Sequence, residues 1–244
     1  MSRFALLAIS VAVILSPPSP VTAQADAPRV YLSYLKVDFT DLETVMEGYQ
    51  EVEVPVLNAL LDEGLLLGYA MTTHNTGGEY NLRMALHAPN WDALGDFWDA
   101  YFARMPEDHV ARVMSMIRGH TDEIWIVGEM ASVEGADPAT FLYESAWDVA
   151  FDRLQEWTAD FERYTKPALR QAMDEGLITG WVRLDHDTGP WNVKYVYWLT
   201  EWDAYDDLSA LLAESREAMD LERLRAARAH QDNVWQMVPP TANN

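Results

Sequence analysis

Asp62-Glu63-Gly64-Leu65 returns later in the chain as Asp174-Glu175-Gly176-Leu177, and the residues around the two tetrads return with them. Pro55 and Pro167, Gly64 and Gly176, Gly68 and Gly180, and His74 and His186 each stand 112 residues apart. The spacing becomes 111 between Trp91-Asp92 and Trp202-Asp203, and 110 between His120, Asp122 and Trp125 and their counterparts His230, Asp232 and Trp235. Two single-residue deletions account for the drift, one near Gly77-Gly78 and one in the helical stretch before His120, places where length changes are absorbed readily. Self-similarity of this kind predicts two copies of one small structural unit.

The order of elements in each copy follows from hydrophobic period and turn chemistry. Val30 to Val37 alternates as a strand, and Thr40 with Glu43 forms a capping box that opens a helix. Leu42, Val45, Met46, Tyr49, Val56, Leu57 and Leu60 keep the three-four spacing of one apolar stripe. Gly64 ends this helix as a C-cap, while Pro55 inside the pattern predicts a kink or a split, as does Pro167 in the second copy. Leu65–His74 and Tyr80–Ala88 read as two strands of a hairpin around a turn at Asn75–Glu79. A helical stretch from Trp91, broken at Pro106, leads to a fourth strand at His120–Val127.

The second copy repeats the order: a strand at Leu142–Val149, a helix to Met173, strands at Leu177–His186 and Asn192–Thr200, a helix from Trp202 opened by a Thr200/Asp203 box, and a strand at His230–Val238. The plan is therefore α+β, with two ferredoxin-like βαββαβ repeats at residues 26–128 and 141–238, a linker at 129–140 and a tail at 239–244. Two helices cover one face of a four-stranded sheet, so the bare faces of the two sheets are expected to pack on each other.

On this element order, and on the helix-Gly-strand-hairpin passage at Asp62 to His74 and Asp174 to His186, the chain resembles the dimeric α/β barrel superfamily. The resemblance covers nearly all of the chain after residue 25. It implies a fused pair acting as a ready-made dimer, with further oligomerisation open, and a ligand cavity. Among members of the superfamily are monooxygenases and isomerases that work without a cofactor, haem binders, and proteins of no known activity, so it implies no single chemistry.

Residues 1–25 read as a cleavable signal peptide: Arg3 gives a positive start, Phe4 to Leu15 an apolar run, and Ala23-Gln24-Ala25 a cleavage site. Export is the expectation, to the periplasm if the source has two membranes. The apolar run is too short for a comfortable membrane span, and no later segment reaches the roughly 18 to 20 apolar residues needed. The chain has no cysteine, which excludes a disulfide framework and a lipid-anchoring thiol. With 17 basic and 39 acidic residues, its formal net charge of −22 repels phosphate backbones, so nucleic acid is excluded as a partner.

Candidate site residues come from the repeated polar positions. His74, His120, His186 and His230 are placed toward one end of their sheets, where approach between them has to cross the two copies. His120 with Asp122 and His230 with Asp232, two apart on one strand face, suit an oriented base or a metal ligand pair, although no metal signature is present. The plainer alternative is that these histidines cap turns and helix ends. Arg83 and Lys194 fall on the central strands of the two sheets. Pointing inward they can hold an anionic ligand head, whereas near the hairpins their charges can reach water instead. His87 has Trp198 as its counterpart and breaks the symmetry, which makes it the candidate base. The expected function is an exported small-molecule-binding protein with a cavity between or beside the sheets. The alternative is a monooxygenase- or isomerase-like enzyme with a His base in that cavity. No metal and no cofactor are expected, with haem as a lesser alternative.

Overall fold

The computed structural model describes residues 26–74, 79–217 and 225–239. The segment read as a signal peptide, residues 75–78 of the expected first turn, residues 218–224 of the expected last helical stretch and residues 240–244 of the tail lie outside these residues. The first half runs β1 (Arg29–Val37), α1 (Phe39–Gly48), a π-helical turn (Tyr49–Glu53), α2 (Val54–Asp62), β2 (Gly68–His74), β3 (Leu82–Ala88), α3 (Trp91–Arg104), α4 (Glu107–Met116) and β4 (Ile117–Ser132). The second half runs β5 (Phe141–Val149), a 3-10 turn (Phe151–Arg153), α5 (Leu154–Asp160), a π-helical turn (Phe161–Thr165), α6 (Lys166–Asp174), β6 (Ile178–Thr188), β7 (Val193–Leu199), α7 (Ala204–Glu217) and β8 (Ala227–Met237).

The eight strands close into one antiparallel barrel in the order β1-β3-β2-β8-β5-β7-β6-β4. Closure is made at two seams between the halves. At one, β2 pairs with β8 through Thr72↔Met237 and His74↔Trp235; at the other, the long β4 pairs with β6 from Ile124↔Thr188 to Ser132↔Gly180. The bare sheet faces thus become the inside of a barrel.

Strand alternation sends every second side chain inward, so the barrel separates three cores. Leu32, Tyr34, Trp125, Leu142, Val182, Leu184, Val196 and Trp235 form the interior. Two further cores lie outside it, one in the first half around Leu57, Leu60, Leu82, Leu86 and Phe97, the other in the second half around Phe161, Leu169, Tyr195, Tyr197 and Leu208.

The two prolines act as their position predicts. Each sits in the first turn of a helix, Pro55 in α2 and Pro167 in α6, where a missing N–H costs nothing. A π-helical turn precedes each and absorbs the break. Gly64 and Gly176 close these helices with φ of 77° and 75°, a left-handed conformation that side chains with a Cβ disfavour.

Two expected capping boxes are absent. α1 starts one residue earlier than Thr40, with Asp38 as its N-cap and no side-chain cap bond, because β1 ends in a register shift at Lys36/Val37 and the chain turns at once. The Thr200 hydroxyl donates instead to the carbonyls of Gly176 and Leu177, tying the end of β7 to the α6–β6 loop. Among the described residues no helix is long and apolar enough to cross a membrane.

Candidate functional site

The barrel interior is divided along its length. Its middle is filled by charge. Arg83 of β3 and Lys194 of β7 are 2 % and 1 % exposed, and each meets a carboxylate of the other half: Arg83 Nη1 donates to Glu144 Oε2 of β5 at 2.5 Å, and Lys194 Nζ to Glu123 Oε2 of β4 at 2.5 Å. Tyr34 joins them, accepting from Lys194 Nζ at 2.6 Å and donating to Glu144 at 3.1 Å. Arg83 Nε donates to the Thr72 hydroxyl at 3.2 Å. Two tryptophans flank the network, with Arg83 4.8 Å from the Trp235 ring and Lys194 4.8 Å from the Trp125 ring.

The electrostatics follow from this pairing. Burial works against the Glu144 carboxylate, but Lys194 and Arg83 beside it and the Tyr34 hydroxyl outweigh that penalty and hold it below the usual carboxylate range. Burial, together with Glu144 and Glu123, pushes the Tyr34 phenol well above its usual value, so it stays a neutral donor. Arg83 and Lys194 therefore do not carry their charge to water at the rim, and both are held by carboxylates inside the barrel. Glu123, Glu144 and Tyr34 were not legible as site residues. The available signal was a glutamate alternating with Leu142 and Ala146 on one face of a strand, Leu142-Tyr143-Glu144-Ser145-Ala146.

Beyond Arg83, toward the end of the barrel where β1 and β2 begin and β3 ends, lies a cavity of about 190 Å³. Its walls are apolar, among them Val30, Leu32, Ala85, Leu184, Val196 and Trp198. Tyr69 also borders it, but its hydroxyl donates to Asn58. Arg83 lies at its inner limit, and His87 stands on its wall. The His87 Nε2 is buried and has no hydrogen-bond partner. Burial lowers the His87 pKa from its ordinary 6.5, so the imidazole is held neutral with basic capacity unspent.

The repeated histidines are not brought together. His74 stacks on Trp235 with ring centroids 4.6 Å apart, and His186 Nδ1 donates to the Trp191 carbonyl at 2.8 Å while its ring meets Trp125 edge-on. His120 and His230 instead belong to the outer, helix-facing side of the barrel. His120 Nε2 is 3.7 Å from Asp122 in an exposed pair, and His230 Nε2 is 2.7 Å from Asp232 with its ring stacked on Trp147. Among the described residues no cluster of three or more His, Cys, Asp or Glu side chains could hold a metal ion. Asn81 and Asn192, beside the interior cations, clamp the ends of β1 and β5: Asn81 bonds both backbone groups of Val37, and Asn192 both of Val149.

No family model and no curated protein matches the chain. Solved structures do. A candidate monooxygenase from Lactobacillus acidophilus superposes with a TM-score of 0.64 at 11% identity, over 86% of this chain and 94% of that one. A chlorite dismutase from Candidatus Nitrospira defluvii gives 0.58 at 10% identity, over 87% and 91%. The fold is the dimeric α/β barrel. A haem-binding protein from Thermus thermophilus matches with a TM-score of 0.59 at 12% identity, over 88% and 93% of the two chains. That neighbour overturns the expectation that no cofactor is involved: composition and motif spacing carried no haem signature, yet the same barrel serves a haem protein.

Proposed function

We propose that this chain is an exported, tandemly duplicated ferredoxin-like pair whose barrel cavity binds a small apolar molecule, with His87 as the base that takes a proton from it. Duplication is supported by the matching strand orders β4-β1-β3-β2 and β8-β5-β7-β6, and by the paired π-turn, proline and glycine positions. The domain limits at 26–128 and 141–238 rest on the same repeat, and export rests on the amino-terminal sequence.

One observation carries the chemistry: a buried imidazole nitrogen with no partner on the wall of an apolar cavity. A buried polar atom left unpaired costs stability, and such atoms concentrate where a ligand completes them. Neutral His87 can accept a proton from a weakly acidic C–H or O–H group, the first step shared by isomerisation and by oxygenation of an activated carbon. The candidate monooxygenases of the same fold, from Lactobacillus acidophilus and Fusobacterium nucleatum, agree with this reading. Arg83, held by Glu144 and Thr72, is a rigid floor that orients rather than reacts.

The test is hydrogen–deuterium exchange at the α-carbon of small enolisable ketones, followed by NMR. Exchange catalysed by the wild-type chain and lost in His87→Gln supports the reading. Equal exchange in the two proteins overturns it.

A second reading, haem in the same pocket, is favoured by the same nitrogen. His87 would hold a haem through its neutral imidazole in apolar surroundings, and a haem held there would supply redox chemistry at its iron. The space fits less well, because about 190 Å³ lies below the roughly 300–1,000 Å³ of pockets for larger ligands, so the walls must part to admit a porphyrin. Haemin titration decides it: a Soret band that shifts on saturation and is lost in His87→Ala supports haem, and identical spectra for both proteins remove it.

A further inference from the structure

We infer that Trp198 sets the size of the cavity's ligand and that the ion network beneath sets its charge, so that the pocket takes a neutral molecule of about one or two fused rings. The inference rests on the cavity reading above. β3 and β7 lie four strands apart in either direction around the ring of eight, so His87 and Trp198 face each other across the barrel. Their registers match. His87 stands opposite Gly68 on one side and Val30 on the other, and Trp198 stands opposite Gly180 and Leu142.

The two corners are filled differently. A Cβ on Gly180 would come within 2.9 Å of Trp198 Cε3 and 2.7 Å of the Ala131 carbonyl oxygen. The indole therefore rests directly on the β6 backbone, and only a glycine at 180 lets it seat there. A Cβ on Gly68 would meet nothing within 4 Å. The space that the indole fills on one side is left open on the other, beside His87. For scale, an engineered apolar cavity of about 150 Å³ in another protein admits benzene. The roughly 190 Å³ here suits one ring or two fused rings and stops short of more.

Charge is selected by balance. Two cations and two carboxylates meet below the cavity, each cation 2.5 Å from a carboxylate. An anionic ligand reaching Arg83 would have to displace Glu144 and strand that carboxylate in the interior, and a cationic one would find every carboxylate engaged.

The experiment uses three probes on the full chain: indole by calorimetry, the neutral N-phenyl-1-naphthylamine by fluorescence, and the anionic 1-anilinonaphthalene-8-sulfonate, of nearly the same skeleton. Wild type is expected to bind indole and to bind the larger neutral probe at least tenfold more weakly. Trp198→Ala and the milder Trp198→Leu should tighten the larger neutral probe at least tenfold. Gly68→Leu, which fills the open corner, should weaken indole at least tenfold. The sulfonate should stay at least tenfold weaker than its neutral counterpart throughout. Folded Trp198 variants whose affinity for the larger probe stays within twofold of wild type overturn the role of Trp198. So does a wild type that binds both neutral probes alike, a result that decides the matter even if the Trp198 variants fail to fold. Equal binding of sulfonate and neutral probe overturns the charge selection. Failure of wild type to bind indole at all overturns the cavity reading itself, which separates the two failures.

Discussion

The Gly68–His87 corner and the Gly180–Trp198 corner occupy matching registers in the same barrel, yet one is open and the other packed solid. Two things make the difference: the β4 backbone runs alongside Gly180 whereas β8 pairs with β2 only from Thr72 onward, and an indole stands where the other corner has an imidazole. An indole that covers its glycine completes a wall. An imidazole at the matching position leaves a gap and a nitrogen without a partner. Matching registers can thus hold an asymmetric site, because a cavity is decided by the volume of single side chains and by how far the neighbouring strand extends beside it.

The comparison is most exposed at the network that locks the two corners across the halves. Glu144→Ala leaves Arg83 buried without its carboxylate, and the expected loss is about 3–5 kcal/mol in urea denaturation. The double variant Arg83→Met with Glu144→Leu should recover most of that loss, since removing both charges leaves none unpaired. A double variant as unstable as the single one would show that the pair holds more than its own charges.

The glycines give a direct contrast of intermediate size. Gly180→Ala forces a methyl group against Trp198 and the Ala131 carbonyl and should cost about 1–3 kcal/mol. Gly68→Ala meets open space, and its effect should stay within about 0.5 kcal/mol. Equal losses in thermal melts of the two variants would mean that the two corners are packed alike.

The smallest expected effect is on pH dependence. Burial lowers the His87 pKa in the folded chain, so the unfolded chain binds the extra proton first as pH falls. Stability is therefore greatest above the unfolded value of about 6.5 and declines as pH drops below it. His74, whose pKa is also lowered mainly by burial, contributes with the same sign. His87→Gln should flatten, without abolishing, the fall in melting temperature between about pH 7 and 5, and Trp198→His should steepen it if that corner buries an imidazole as His87's does. An unchanged slope in His87→Gln would place the His87 ring in contact with water.

Much of the architecture was legible because repetition turns weak local signals into paired ones. Gly64 alone is a plausible C-cap, whereas Gly64 and Gly176 at one spacing, each after a proline-bearing helix, fix the helix-to-strand passage in both halves. His87 was legible as an asymmetry against Trp198. The function of the ion network was not, since Arg83 and Lys194 read more readily as rim residues until their partners were known. Those partners, Glu123 and Glu144, come from different halves and from positions that do not correspond in the repeat. Capping was legible only in part, because a Thr-x-x-Glu spacing states a propensity that a register shift at the end of β1 can override.

By itself the sequence determined the elements and their order, because periodicity, proline and glycine act over a few residues. Only the tertiary structure decided which charges neutralise one another and where space remains. Those outcomes depend on side chains that meet across a closed barrel from positions up to 71 residues apart in the pairs that count most, and no local pattern records such a meeting.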